Sequence, residues 1–475
     1  MSRLAVFSNR IPYNFQTGEA SAGGLAVAIK ASLNGSGAVW IGWSGEIIDD
    51  ESQRNLDHLK TASLDGVDYV GVPLTREEYE GFYLNYSNGK LWPVMHSMEQ
   101  FVSRTQGSYK IYQDVNRLFA KVAEKVLKPD DIVSVQDYHM IPLGGELRKL
   151  GINNPTSFFS HIPFPNPDFF DRDDVSRKLK EQFGLMITSL DQYDQVGVQA
   201  KSDFVNLQRF KGNHEPVPDN FTTAPIGTGR TQYGIFPISI ETDEIPNIVA
   251  ETLKNDSWVQ RFIKGLGTRK FSMSADRADF SKNILERIES ITTFLRSNPD
   301  MYGKVQFFQA LPPTRDDLNE YKNYLEAVRN AEGGFQAEFS SPAYSPMQTT
   351  FDMIARNRLL ALYNHAGKSK GITLISSNFE GQHLGALESI AAQDPKAPSV
   401  VVLGANTGAA QQLGNNGPLT IDPYDTVGTA QTILKAFEMS GRERRERHAA
   451  MLPIIQANDA KHWGAHALRP AQRHA

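Results

Sequence analysis

The chain contains no cysteine, which excludes disulfides and thiolate chemistry. It has no long apolar run. None approaches the roughly 20 residues of a membrane-spanning helix, and the N-terminus offers only Leu4 to Phe7 as consecutive apolar residues, too short for a signal-peptide core. A cytoplasmic protein without membrane contact is expected. Positive charge is not in excess: 49 Lys and Arg stand against 54 Asp and Glu, a net charge of -5, which removes the electrostatic case for nucleic acid. Internal repeats of 20–50 residues and low-complexity tracts are missing. So is a G-x-S-x-G nucleophile elbow. The histidines lack carboxylate or histidine partners in ligand spacing, so neither a metal nor another cofactor is expected.

What remains is ordinary soluble composition, 40% apolar and 22% charged, over 475 residues, too many for one core. Short apolar runs alternate with helical periods, which predicts parallel α/β layers. Strands are read at 4–7, 39–43, 69–72, 132–135 and 156–159, with helices at 25–33 and 109–127. A Gly-, Pro-, Asn- and Thr-rich stretch from Lys211 to Tyr233 reads as an irregular excursion near a boundary. A second alternation follows, with strands at 234–236, 269–273, 305–308, 372–375, 400–403 and 419–421. The expected organisation is a Rossmann-like domain over 1–235, a second over 236–455, and a C-terminal tail over 456–475 with the option of returning to the first domain. A last helix is read over 443–462, and Arg442, Arg444, Arg445 and Arg447 at its start read as a solvated face.

The most informative stretch runs from Ser274 to Asn283. It follows a strand and precedes the amphipathic helix 284–295, so Arg277 and Lys282 sit where α/β sheets collect ligands. Two cations beside a helix N-terminus suit a phosphate-bearing ligand; the alternative is a solvated loop with two surface charges. Gly23 and Gly24, in Ser21-Ala-Gly-Gly24, lie between the first strand and its helix, where backbone N–H groups can approach a phosphate or where glycine only serves the turn. The loop is not a G-x-G-x-x-G fingerprint and has no Walker lysine. Asp137 follows the strand 132–135 and is either a site residue or an N-cap for a helix beginning near Pro142. His161 is also at a strand end, in a loop stiffened by Pro163, Pro165 and Pro167, and can be structural or functional. Glu380 and Glu388 flank a strand–helix turn; they could grip a polyol at two ends or act as a cap and a surface charge.

Read together, the segments resemble the trehalose-6-phosphate synthase family. The matching pieces run in order through nearly the whole chain: Ser8-Asn-Arg10, Ser21-Ala-Gly-Gly-Leu25, Trp40 to Gly45, Tyr83 with Leu91-Trp-Pro93, Gln136-Asp-Tyr-His139, His161-Ile-Pro-Phe-Pro165, Arg277 to Lys282, Pro313-Thr-Arg315, Glu388 with Ala391 to Pro395, Gly408 to Ala410 and Pro423-Tyr-Asp425. The resemblance implies a retaining glycosyltransferase of the GT-B type, with two Rossmann-like domains facing each other across a cleft. It implies transfer of glucose from a nucleotide-glucose, UDP-glucose favoured, to glucose 6-phosphate, in trehalose biosynthesis. Alternatives are a related transferase acting on glycerol 3-phosphate or a cyclitol phosphate, and a non-catalytic sugar-phosphate-binding paralogue. A homo-oligomer, dimer or tetramer, is compatible with it.

Carried over position by position, the resemblance implies that Arg10, Tyr83, Trp92, Asp137 and Arg315 hold the acceptor. Trp92 and Ile162 would select its α anomer. Gly23, Gly24, Arg277, Lys282, Phe351, Glu380, Leu384, Gly385, Ala386, Leu387 and Glu388 would hold the donor, and Asp137, His161, Arg277 and Lys282 would serve catalysis, without a metal. The donor loop departs from the family pattern Asp-Gly-Met-Asn-Leu-Val-Ala-Lys-Glu: here it reads Glu380-Gly-Gln-His-Leu-Gly-Ala-Leu-Glu388. Gln136 also stands where the family has histidine, and Asn283 where it has glycine.

Overall fold

The computed structural model describes residues 2–20, 24–33, 37–173, 175–218, 223–226 and 229–470. It divides into two compact units: Met1–Ile238 with Ala460–Ala475, and Ser239–Asp459. Each is built on a mainly parallel sheet with helical crossovers, so the protein is α/β, with two Rossmann-like domains.

In the first unit the main sheet's strands are β1 (Leu4–Arg10), β2 (Ala38–Ile48), β3 (Lys60–Leu64), β4 (Val67–Thr75), β5 (Ile132–Gln136), β6 (Thr156–Phe159), β7 (Gln195–Val198), β8 (Thr223–Pro225) and β9 (Gln232–Ile235). Their order is β8-β9-β7-β6-β5-β1-β2-β4-β3, parallel except for the β3/β4 and β8/β9 pairs. Helix α1 (Gly24–Leu33) leads from β1 to β2, and α2 (Ser108–Val126) returns the chain to β5 on the other side of β1. The order therefore reverses between β1 and β5, and a crevice opens outside their C-terminal ends. Helix α3 (Arg177–Ser189) precedes β7. The stretch read as irregular holds β8, and the strand read at 234–236 as the start of the second alternation is β9, which pairs with β7 and belongs to the first unit's sheet.

The second unit has β10 (Lys270–Ala275), β11 (Val305–Ala310), β12 (Met347–Thr350), β13 (Ile372–Ile375), β14 (Val400–Gly404) and β15 (Leu419–Ile421), all parallel, in the order β12-β11-β10-β13-β14-β15. Helix α4 (Ile284–Ser297) follows β10, and α5 (Leu384–Ala391) lies between β13 and β14. Here the order reverses between β10 and β13. Phe271, Met273, Ile375, Leu387 and Leu403 belong to one buried cluster of this unit, the near-continuous apolar pattern of strands covered on both faces.

The chain ends differently from its sequence pattern. The run read as one helix over 443–462 is two, α6 (Gly441–Ala457) and α7 (Ala460–Ala467), with the break at Asn458. Helix α6 belongs to the second unit, which runs to Asp459 rather than 455, and the first unit's opening span runs to Ile238 rather than 235. Helix α7 packs in the first unit: Ser32 Oγ donates to Ala460 O at 2.8 Å, Gln195 Nε2 to His466 O at 2.9 Å and Ser157 Oγ to Leu468 O at 3.1 Å. Gly464 permits the approach, since a Cβ there would lie 2.3 Å from Ser32 Oγ. The arginine cluster is not uniformly solvated. Arg444 is buried and donates to the carbonyls of Gly371 (2.7 Å) and Ala436 (2.6 Å), replacing water with fixed acceptors.

Candidate active site

In the first unit, residues from both sides of the β1/β5 reversal gather. Arg10, the last residue of β1, lies with its guanidinium 5.1 Å from the Trp43 ring of β2, a cation–π arrangement. Trp43 in turn packs on Tyr79 and Tyr83, with centroids 4.9 and 6.3 Å away. These tyrosines belong to a π-helical stretch, Tyr79–Leu91, that passes directly into Trp92. Such widened helix is rare and clusters at functional sites. Tyr83 stacks on His139 (5.9 Å, 13°), and Trp92 lies against Tyr138 (5.8 Å). Thus Arg10, Tyr83, Trp92 and Asp137 of the predicted set share one neighbourhood, to which Trp43 and His139 add. A tryptophan in a strand and a histidine two residues after Asp137 were within the matching segments, but only packing shows that they link the others.

Asp137 is buried and has φ 76°, a left-handed backbone that costs roughly 1–3 kcal/mol and clusters at active sites. Its carboxylate does not cap the turn that follows; it accepts the His161 backbone N–H at 3.0 Å, joining the ends of β5 and β6. Ile162, next to it, is buried. His161 Nε2 lies 2.8 Å from Gln136 Oε1, while Gln136 Nε2 donates to Ser134. Gln136 thus accepts from a neutral, Nε2-protonated imidazole and leaves Nδ1 as the acceptor. Burial pushes the His161 pKa down to about 3. The ring is braced by Phe159 (4.7 Å) and by Trp463 of α7 (5.8 Å). Trp463 is 300 residues away along the chain, and no sequence signal tied it to His161. Gly23 lies outside the described residues; Gly24 opens α1.

In the second unit, the turn after β10 holds a dense charge network. Asp279 caps the 3-10 turn Phe280–Lys282 through Ser281 N (3.0 Å). It also binds Arg315 Nη1 at 2.9 Å and stands 3.8 Å from Arg277 Nη2. Burial alone would raise the Asp279 carboxyl, but Arg315, Arg277 and Lys282 hold it below the usual range. Arg315 has φ 53° and also donates to Tyr321 Oη (2.7 Å). Arg277 keeps its side chain substantially exposed, at 43%. Lys282 is almost buried and ion-paired with Glu380, which comes from beyond β13 across the point where the strand order reverses. Ser376 Oγ reinforces that junction by donating to Lys282 O at 2.8 Å. Burial tends to raise the Glu380 carboxyl; Lys282 and His383 more than offset it and lower its pKa.

The departures from the family pattern acquire physical reasons. Asn283 has φ 49°, a backbone that glycine and asparagine adopt readily, and its Oδ1 accepts the Asn378 N–H at 3.0 Å. His383 caps α5: Nδ1 accepts the Ala386 N–H at 3.0 Å and Nε2 faces Asp276 Oδ1 at 2.9 Å. Asp276 also receives the fully buried Arg287 at 2.7 Å. Burial would raise the Asp276 carboxyl, but His383 and Arg287 hold it far below its ordinary value. Neither Asp276 nor His383 stood out as a partner in the sequence, because 107 residues separate them.

Not every predicted donor residue presents a side chain. Ala386 and Leu387 are buried in the core cluster, so their side chains are committed to packing. Leu384 and Gly385 are half-buried, and Glu388 pairs with Arg356 at 2.5 Å. Phe351 follows β12, with the Arg329 guanidinium 4.8 Å from its ring. Among the described residues no group of three potential ligands could hold a metal ion, and no helix is long and apolar enough to cross a membrane.

Comparison with known proteins agrees with this architecture. The model of glycosyltransferase family 20 matches residues 2–473. A trehalose-6-phosphate synthase of Cronobacter sakazakii is 32% identical over 98% of this chain and 94% of its own; one from Sinorhizobium fredii is 32% identical over 98% and 97%. Among solved structures, a UDP-forming alpha,alpha-trehalose-phosphate synthase from Burkholderia xenovorans in complex with glucose-6-phosphate superposes with a TM-score of 0.88, at 28% identity over 98% of both chains. An Escherichia coli structure bound with UDP-2-fluoro glucose gives a TM-score of 0.86, at 30% identity over 98% and 97%. The chain belongs to glycosyltransferase family 20, and its fold is of the GT-B type.

Proposed function

We propose that this chain transfers glucose, with retention of the α configuration, from UDP-glucose to glucose 6-phosphate, giving α,α-trehalose 6-phosphate and UDP. The observation that carries this reading is the turn after β10, where Arg277 and Lys282 stand at the C-terminal edge of a parallel sheet just before α4. As the bond from the sugar C1 to the diphosphate breaks, negative charge grows on the leaving oxygen, and fixed cations stabilise that state most. The acceptor hydroxyl forms the new bond to C1 and passes its proton to the leaving phosphate on the same face. His161, neutral at physiological pH, then accepts a hydrogen bond from a sugar hydroxyl through Nδ1 and is not the base. Donor diphosphate takes the place of Glu380 on Lys282, which turns the Glu380 carboxylate toward donor hydroxyls. Arg10 and Arg315 bind the acceptor phosphate through charge-assisted hydrogen bonds.

The deciding experiment offers UDP-, ADP- and GDP-glucose against glucose, glucose 6-phosphate, glycerol 3-phosphate and a cyclitol phosphate, with identification of the product. UDP-glucose with glucose 6-phosphate is expected to dominate. Arg10→Ala and Arg315→Ala should each raise the KM for glucose 6-phosphate about 10- to 100-fold, the scale of one charge-assisted bond. Equal use of glucose and glucose 6-phosphate would remove the phosphate clamp. Preference for another phosphorylated acceptor would reassign the substrate, and binding without turnover would make the chain a non-catalytic paralogue.

A further inference from the structure

The first unit carries a cavity of about 770 Å3 lined by none of the predicted site residues. Lys90, Arg104, Lys110, Arg172 and Lys178 face it, and among its described lining residues Glu99 is the only acid. Such an imbalance is notable in a chain of net charge -5. Lys110 is paired with Asp114, but Lys90, Arg104 and Lys178 form no ion pair among the described residues. Two helices also begin at this wall. Gly107 is the N-cap of α2 and supplies no side-chain cap to its first turn, whereas Ser176, the N-cap of α3, already accepts the Leu179 N–H at 3.1 Å. The amide groups at both starts add partial positive charge to that of the side chains.

We infer that this cavity binds a small phosphorylated anion carrying at least two negative charges. Three cations without an ion pair among the described residues face a single acid there, and the volume lies in the range of small-metabolite sites, roughly 300–1,000 Å3. Lys90 Nζ donates to Thr105 O at 2.5 Å; burial, and after it the charge of Lys178, lowers its pKa. A bound anion offsets the repulsion between these two cations. The site is separate from the turn at Arg277 and Lys282, so the proposal does not depend on which sugar the enzyme transfers.

Calorimetric titration of the full-length protein with inorganic pyrophosphate at low salt tests it. Because pyrophosphate also resembles the donor diphosphate, the second titration uses Arg277→Ala with Lys282→Gln and Glu380→Gln, which removes both the donor cations and the carboxylate that Lys282 neutralises. Binding should persist there with a stoichiometry of one. Adding Arg104→Gln and Lys178→Gln, both exposed positions, should weaken it about 10-fold or more, the scale of losing charge-assisted contacts, whereas Lys178→Arg should leave it within about twofold because the charge is retained. Raising the salt should weaken the binding, as expected for partly exposed charges. Loss of all pyrophosphate binding in the donor-site variant, or unchanged binding after the Arg104 and Lys178 substitutions, would overturn the inference.

Discussion

His161 makes stability of the first unit depend on pH in a way that can be calculated. The folded chain holds the imidazole near pKa 3, against an ordinary 6.5, because burial disfavours its charge. Between these values the unfolded chain binds one more proton than the folded chain, so stability falls as pH falls. At pH 7.5 both states are neutral and the penalty is negligible. At pH 5.0 it has grown over about 1.5 pH units at 1.36 kcal/mol each, or about 2 kcal/mol. For a unit of this size that corresponds to a Tm lower by about 4–8 °C. The assay is thermal unfolding of the wild type and of His161→Gln at pH 7.5 and 5.0. The amide does not titrate, so the wild type should lose about 2 kcal/mol more than the variant over this interval. Other titrating groups, including His365 and His448, whose pKa values burial also lowers, contribute to both proteins and cancel. An equal loss in the two proteins would refute the neutral imidazole.

Three further outcomes are expected. Arg277→Ala should lower kcat about 10²–10³-fold, the scale for removing one group that stabilises transition-state charge, with little change in Tm because the side chain is substantially exposed; steady-state kinetics at saturating donor and a melting curve check both halves. Asp276→Ala should destabilise the second unit by about 3–5 kcal/mol, since it strands the fully buried Arg287 without its counter-charge, as read by denaturant unfolding. Trp463→Ala should cost about 3–5 kcal/mol by opening a cavity and should lower kcat as well, because the ring braces His161; normal turnover in a destabilised variant would separate the packing from the chemistry.

The local part of this structure was legible in the residues themselves. Alternating apolar runs placed the strands whose ends carry Arg10, Asp137 and Arg277, because strand and helix periods are properties of neighbouring residues. The Ser274–Asn283 turn was recognisable for the same reason: strand, two cations and helix follow one another within it. Boundaries were less legible. Residues 443–462 carry a helix breaker, Pro453, that α6 runs through without ending, and the break comes instead at Asn458, where the two segments part into different units.

Which charges meet was decided by tertiary structure alone. Lys282 and Glu380 are 98 positions apart, and Asp276 and His383 107; they meet because the strand order puts β10 beside β13, a neighbour relation that no local period records. Burial then sets their protonation: the same carboxylate or imidazole titrates normally in water and is strongly shifted where water is excluded. The sequence by itself therefore determined the fold class, the family and the strand-end positions of the site. Only the folded chain decided that Arg444 is buried, that Leu387 belongs to the core, that Trp463 stands behind His161 and that Glu380 occupies Lys282, since each depends on contacts between segments that the chain brings together only when it packs.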